Sequence, residues 1–222
     1  MQVIRKSFIT SDDAEITIEM DPGTFEIEYL TELVNIGFNR VSLGVQSFDD
    51  EILESLGRVH RSIDVYKAIQ MLKDVGLNNF SIDLISGVPG LTLAKWAETL
   101  EIAVSLKPSH MSVYDLQIEE NTPFHKWFGD EEYEESNDHI SKDSSFSKLP
   151  KSLRKLPSGE DSAFMYKYAS GYLKAAGFDH YEISSYSKPG FRSKHNSLYW
   201  EVGANWLGKY IASNDEFIFF LI

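Results

Sequence analysis

Cysteine is absent from all 222 residues. Disulfides, thiolate metal ligands and cysteine nucleophiles are therefore excluded within this chain. Basic residues are scarce as well: 21 Lys and Arg stand against 34 Asp and Glu, a formal net charge of -13. That balance counts against a general affinity for nucleic-acid phosphates or anionic membranes, while a small anionic ligand can still be held by single basic residues and local dipoles. No apolar run reaches the roughly 18 residues of a membrane span, and the opening MQVIRKSFITSDD lacks the apolar centre of a secretory signal. The chain reads as a soluble protein from inside a cell, in the cytoplasm or, in a eukaryote, in a mitochondrion or plastid. Its six histidines, His60, His110, His125, His139, His180 and His195, show no close ligand spacing, so no metal site is predicted. A phosphate-binding loop is missing too, because GVPGLT lacks the required glycines and lysine. There is no nucleophilic serine elbow.

What is present is an ordinary globular composition, 42% hydrophobic and 25% charged, on a chain long enough for one good core. EITIEM (15–20) alternates and is rich in β-branched residues, which predicts a strand. DPGT then turns the chain, Thr24 offers a helix cap, and Ile27, Leu30, Leu33 and Val34 fall at helical spacing up to Gly37. RVSLGV and NFSIDLIS predict further strands, and HMSVYDLQI a fourth strand, near 110–118. Helices are predicted from about 49 to 56, from 62 to 75 and over LAKWAETLEIAVSL. Strand and helix alternating through short loops predict a parallel sheet with right-handed crossovers, its strands apolar on both faces and its helices on one side only. From about 129 to 158 the acidic, then Ser- and Lys-rich sequence predicts a flexible surface insertion. A helix capped by Asp161 and ended by Gly177, a strand HYEISSYS and an ordered loop KPGFRSKHNSLYW follow. The tail EFIFFLI is read as either a buried strand or a non-native end.

In parallel α/β folds ligands sit beyond the carboxyl ends of the strands. The polar groups there are Glu19 and Asp21, Gln46 and Ser47, Asp83, and Gln117 with Glu119. Asp83 is the most informative, because an unpaired acid inside an apolar strand costs several kcal/mol. It needs a partner: either a structural one such as Arg58 or Arg61, or a ligand. Gln46 has two readings as well, satisfying loop backbone or meeting a ligand.

EITIEMDPGTF, RVSLGVQSFDDEIL with LGRVH, IDLISGVPGLT, SVYDLQIEENTPF, YEISSYSKPG and HNSLYW, in that order, resemble the radical S-adenosylmethionine (SAM) proteins related to oxygen-independent coproporphyrinogen III oxidase. HNSLYW is most similar to the HNxxYW pattern of the heme chaperone, HemW-like, branch. The resemblance runs from about Ala14 to Trp200. It implies an α/β fold, a partial (β/α) barrel of the radical SAM type lacking its first two β/α units and with an incomplete C-terminal region. Residues 1–128 would be the partial barrel, 129–158 the insertion, 159–200 the helix-strand and HNxxYW region and 201–222 a divergent tail.

By the same resemblance Glu19, Gln46, Arg58 and Asp83, with Gln117 as a weaker candidate, would contact SAM. Carboxylates and an amide suit its hydroxyls and ammonium, and a cation suits its carboxylate. His195 would be a heme ligand flanked by Tyr199 and Trp200, with Arg192 and Lys194 meeting propionates; the alternative for His195 is a loop histidine bonded to backbone. The family also implies a 4Fe-4S cluster, whose CxxxCxxC ligands this chain does not contain. Partners would be heme or porphyrin and heme-accepting proteins. Three functions stand at this level: a heme chaperone, a coproporphyrinogen III oxidase-type enzyme of porphyrin biosynthesis, or a non-functional fragment, and in each the chain by itself carries no radical chemistry.

Overall fold

The computed structural model describes residues 6–7, 11–129, 146, 149–198 and 200, together with the backbone of 211–213 and 216–220. Four strands form its centre: β1 (Ile16–Met20), β2 (Arg40–Gln46), β3 (Phe80–Ser86) and β4 (His110–Asp115). Each pairs with the next in parallel. The connections carry α1 (Ile27–Ile36), α2 (Asp50–Ser55) with α3 (Ser62–Asp74), and α4 (Leu93–Ser105). After β4 come α5 (Pro123–Phe128), α6 (Gly159–Ala175), β5 (Asp179–His180), β6 (Ser185–Ser187), α7 (Lys194–Leu198), β7 (Ile211–Ser213) and β8 (Glu216–Phe220). The sheet order is β5-β6-β4-β3-β2-β1-β8-β7, with β6 antiparallel to β4 and β8 antiparallel to β1. This is the parallel α/β sheet that the alternation of elements predicts, in the partial-barrel form that the resemblance implies.

Local chemistry sets the ends of the helices. Asp49 caps α2 by accepting from the N–H groups of Glu51 and Ile52 at 2.9 and 3.2 Å, and Thr92 caps α4 by accepting from Lys95 N–H at 3.2 Å. Thr24 does not cap α1 as expected. Its hydroxyl donates to the Asp21 carbonyl at 2.7 Å, which closes the DPGT turn instead, and Glu26 stands at the start of the helix. In α6 the cap is Ser158, and Asp161 is its partner in a reciprocal capping box.

The strands are not apolar on both faces. Ile16, Ile18, Met20, Val41, Leu43, Val45, Phe80, Ile82, Leu84, Met111 and Val113 point to one side, where they pack with Leu30, Leu33, Val65, Ile69, Leu72, Trp96, Leu100, Met165 and Leu173 of the helices in one core. Full burial of such a side chain stabilises the fold by about 1.5–3 kcal/mol. The residues between them, Thr17, Glu19, Arg40, Ser42, Ser81, Asp83, His110, Ser112 and Tyr114, share the opposite face, as the two-residue period of a strand requires. That inner face is polar.

Five further expectations are corrected. The helices are not confined to one side, because α7 lies against the inner face, where Ser193, His195 and Asn196 meet Thr17, Glu19 and Arg40. The predicted strand over HYEISSYS is two short antiparallel strands separated by a turn, and the predicted loop over HNSLYW contains a helix. β4 ends at Asp115, so Gln117 follows the strand. Residues 149–158 are anchored, against the expectation of a free insertion over 129–158. Leu153 is 2% exposed within the core, Gly90 N–H donates to the Lys155 carbonyl at 3.2 Å, and Arg154 Nε donates to the Leu149 carbonyl at 2.8 Å. Residues 130–145, 147–148, 199, 201–210, 214–215 and 221–222 lie outside the described residues. That removes most of the acidic run, Tyr199 and much of the tail from comparison.

Candidate functional site

The carboxyl ends of the parallel strands surround a cavity of about 360 Å³. Its walls are Glu19, Met20 and Asp21 from β1 and its exit, Ser42, Gly44 and Gln46 from β2, Asp83 and Ile85 from β3, Tyr114 and Asp115 from β4, Leu116 and Gln117 beyond it, and Arg58 from the turn after α2. All five SAM candidates, Glu19, Gln46, Arg58, Asp83 and Gln117, therefore line one space. The volume falls within the range of small-molecule sites. Ser47 is not part of it: its hydroxyl accepts from Asp49 N–H at 3.1 Å and shapes the approach to α2.

Three local features prepare the cavity wall. Gln46 has φ of 63°, a left-handed conformation that a side chain with a Cβ adopts only at a cost, and its buried Oε1 has no hydrogen-bond partner among the described residues. Arg58 Nη1 donates to both carboxylate oxygens of Asp21, at 3.2 and 3.0 Å, so this cation is already paired at the rim. Gly44 lets the rim close up, since a Cβ there would collide with Asp21 Oδ1 and lie 3.1 Å from Gln46 Nε2. Gly44→Ala is therefore expected to push Asp21 away from Arg58.

Asp83 finds its partners on the inner face, and neither Arg58 nor Arg61 is among its hydrogen-bond donors. Ser42 Oγ donates to Oδ2 at 2.7 Å and Ser81 Oγ donates to Oδ1 at 2.9 Å. Burial pushes the carboxyl of Asp83 above its ordinary range, opposed by hydrogen bonds from Ser112, Ser42 and Ser81 and by the charge of Arg40. Burial also raises Glu19 to about 7, helped by the charge of Asp83 and opposed by Arg40. Tyr114 is held at about 12 by burial and by Asp83.

Arg40 is the residue that the strand-end reasoning missed. It is 5% exposed at the start of β2, and its Nε has no partner among the described residues. The signal was available in NRVSLGV, where Arg40 and Ser42 alternate with Val41 and Leu43.

Below the large cavity lies a smaller one of about 40 Å³, lined by Thr17, Glu19, Arg40, Ser42, Asp83, Ser112, Tyr114, Ser193, His195 and Asn196. The start of α7 is fixed there by Glu15, which accepts from Ser193 Oγ at 3.4 Å, Lys194 N–H at 3.2 Å and His195 N–H at 3.5 Å. Burial lowers the imidazole pKa of His195.

The heme chaperone HemW of Synechocystis sp. is 40% identical over 188 residues, covering 85% of this chain and 40% of the relative, and HemW of Escherichia coli is 34% identical over 200 residues, covering 90% and 46%. Among solved structures, coproporphyrinogen III oxidase (HemN) from Escherichia coli, a radical SAM enzyme, aligns with a TM-score of 0.65 at 25% identity over 85% of this chain and 38% of that one. Residues 2–103 match the Radical SAM superfamily. That stretch is a radical SAM domain. It spans less than half the length of the two HemW relatives.

A radical SAM fold implies SAM and a 4Fe-4S cluster. The donor set fits the first: the carboxylates of Glu19 and Asp83, the Gln46 amide with its unpartnered oxygen and the Arg58 guanidinium are among the groups that face one cavity of ligand size. It does not fit the second, because the chain contains no thiolate, and no group of three or more His, Asp or Glu among the described residues could hold a metal ion. The heme expectations fare differently from the SAM ones. Lys194 pairs with Asp13 at 2.8 Å and Arg192 with Asp179 at 3.7 Å, so both propionate candidates are already engaged. His195 lines a space that admits a water molecule or two rather than a macrocycle. Trp200 is 58% exposed. The SAM candidates and His195 come from different elements, strands and their exits against α7, yet Glu19, Ser42, Asp83 and Tyr114 line both cavities. Among the described residues no helix is long and apolar enough to cross a membrane.

Proposed function

We propose that this chain carries the SAM-binding wall of a HemW-like heme chaperone, binding SAM in the large cavity and heme through the HNSLYW segment for delivery to heme-accepting proteins. The observation that supports the SAM half is the convergence of Glu19, Gln46, Arg58, Asp83 and Gln117 on one cavity from separate sequence motifs. In this reading Glu19 and Asp83 accept from the ribose hydroxyls or the ammonium, and the Gln46 amide, whose Oε1 is unpartnered, fixes orientation. The Arg58–Asp21 pair holds the rim, with the guanidinium groups beyond Nη1 facing the ligand carboxylate. Reductive cleavage of the sulfonium is the chemistry that a bound cluster supplies, and this chain offers it no thiolate ligand. An oxidase-type decarboxylation is thus not the activity proposed for these 222 residues. Heme delivery inside a cell, in the cytoplasm or an organelle, is the setting that the reading implies.

Calorimetry with SAM tests it. The chain is expected to bind weakly, and Gly44→Ala, which disturbs Asp21 and Gln46 together, is expected to reduce affinity at least tenfold, about 1.4 kcal/mol. Unchanged affinity in Gly44→Ala would place SAM elsewhere.

The heme half rests on the HNSLYW motif and on the heme chaperone relatives. With His195 turned into a 40 Å³ space, coordination of heme iron through its ring entails displacement of α7 from Glu15. Glu15→Ala is accordingly expected to strengthen the Soret shift on adding hemin, and His195→Ala to remove it. Hemin spectra identical in wild type and both variants would take His195 out of the heme site.

A further inference from the structure

A continuous line of hydrogen bonds crosses the inner face from Asp83 to α7, and the SAM reading makes no use of it. Ser81 Oγ lies 2.9 Å from Asp83 Oδ1 and 2.9 Å from His110 Nδ1. His110 Nε2 lies 2.8 Å from the Tyr181 hydroxyl, and Ser193 N–H donates to that hydroxyl at 3.2 Å. Ser81 and His110 are fully buried, whereas Tyr181 is half-buried with the Arg192 guanidinium 5.5 Å from its ring centre. The line thus runs from the candidate ligand cavity towards the surface of the molecule.

We propose that Ser81, His110 and Tyr181 are positioning residues forming a proton relay that sets the charge of Asp83 and couples it to the HNSLYW helix. The relay itself stands on geometry; its consequence for ligand binding rests on the SAM reading.

The donor count fixes the chemistry. A serine hydroxyl has one proton and a neutral imidazole one N–H. With Asp83 ionised, Ser81 donates to the carboxylate, His110 Nδ1–H donates to Ser81, and Tyr181 donates to the bare Nε2. Every bond then points at Asp83. With Asp83 protonated, its O–H donates to Ser81, Ser81 donates to Nδ1, and Nε2–H donates to the phenol oxygen. Tyr181 then turns its own proton to Ser185, whose hydroxyl also accepts from Asn196 Nδ2 at 3.2 Å. In passing between the two arrangements one proton is taken up at the Tyr181 oxygen and one is delivered to Asp83. Ser81, His110 and Tyr181 each exchange one proton for another and keep their charge.

His110 suits this role because burial and the charge of Arg40 hold its pKa well below the usual histidine value, so the ring stays neutral and exchanges tautomers. The other groups facing Asp83 are Glu19 on β1, Arg40 and Ser42 on β2, Ser112 and Tyr114 on β4 and His195 on α7. None of them lies between Ser81 and Tyr181. Asn196 places the second position of HNSLYW at the far end of the relay, so α7 senses the charge of Asp83.

The test is nitrogen NMR of His110 in the full chain, recorded alongside the carboxyl titration of Asp83. Where Asp83 is ionised, the Nδ1–H tautomer is expected, changing to Nε2–H as Asp83 protonates. Tyr181→Phe deletes only the hydroxyl and is expected to move the Asp83 titration upward by about half a unit to one unit. An Nε2–H tautomer beside an ionised Asp83, or an Asp83 titration unmoved in Tyr181→Phe, overturns the relay. Adding SAM separates the two ideas. A chain that binds no SAM while His110 still follows Asp83 sinks the SAM reading alone, and a chain that binds SAM with His110 fixed in the Nε2–H form sinks the relay alone.

Discussion

Trp96→Ala is expected to lower the unfolding free energy by about 4 kcal/mol, the upper part of the range for removing a large core side chain. Trp96 is 1% exposed on α4, packed in the hydrophobic core. Its Nε1–H donates to the Met165 carbonyl of α6 at 3.0 Å, so the residue also ties the barrel to the helix that follows the acidic segment. Truncation removes the packing and leaves a buried carbonyl without its side-chain donor, which adds about 1 kcal/mol. For a domain whose whole stability is about 5–15 kcal/mol, that loss is a large fraction. Trp96→Phe keeps most of the volume and loses only the hydrogen bond, so its cost should be less than half as large. Urea denaturation of the three proteins checks this, and a loss below about 1.5 kcal/mol in Trp96→Ala would contradict the packing argument.

A second large effect is a dependence of stability on pH governed by Glu19. Its folded-state value of about 7 lies above the ordinary 4.5, so the folded protein binds the proton more tightly than the unfolded chain does. The stabilisation is complete below about pH 4.5 and is lost as pH rises through 7; the raised Asp83 acts in the same direction. The shift from 4.5 to about 7 sets a ceiling of about 3 kcal/mol, which the partial exposure of Glu19 to the cavity reduces to about 2 kcal/mol. Glu19→Gln is expected to flatten the profile between about pH 5 and 8 and to leave the variant about 2 kcal/mol more stable than wild type at the alkaline end. The same ionisation should strengthen SAM binding as pH rises through 7, because a protonated carboxyl has less capacity to accept the ribose hydroxyls. Parallel pH profiles for wild type and Glu19→Gln would exclude Glu19 as the source.

The order of strands and helices was legible in the sequence because β-branched alternation and helical spacing are local properties. The strand-end candidates were legible through the rule that ligands gather at carboxyl ends, reinforced by the family resemblance. The inner face was misread, although FSIDLIS and HMSVYD carry it in plain alternation. Taking both faces of a parallel strand as apolar hid Arg40, Ser81 and His110, which belong to the relay and the lower cavity rather than to the strand ends. The partners of Asp83 were not legible for a different reason. Ser42 is 41 residues away in sequence and reaches Asp83 only through the lateral pairing of β2 with β3. The Ser158 cap and the helix within HNSLYW are short local choices, less conspicuous in the sequence than Asp161 and the turn-forming KPG that opens the predicted loop.

Gln46 sits at a φ of 63°, where an L-residue with a Cβ is held about 1–2 kcal/mol above a relaxed backbone. Asparagine tolerates that conformation better and glycine adopts it freely. Selection for thermal stability alone, applied to a library of this chain without any ligand present, would therefore enrich replacements at position 46 and erode the cavity wall while improving the fold. In a parallel selection with a ligand present, a bound molecule that repays the backbone strain would retain glutamine, which makes position 46 an internal record of whether the cavity was occupied during selection.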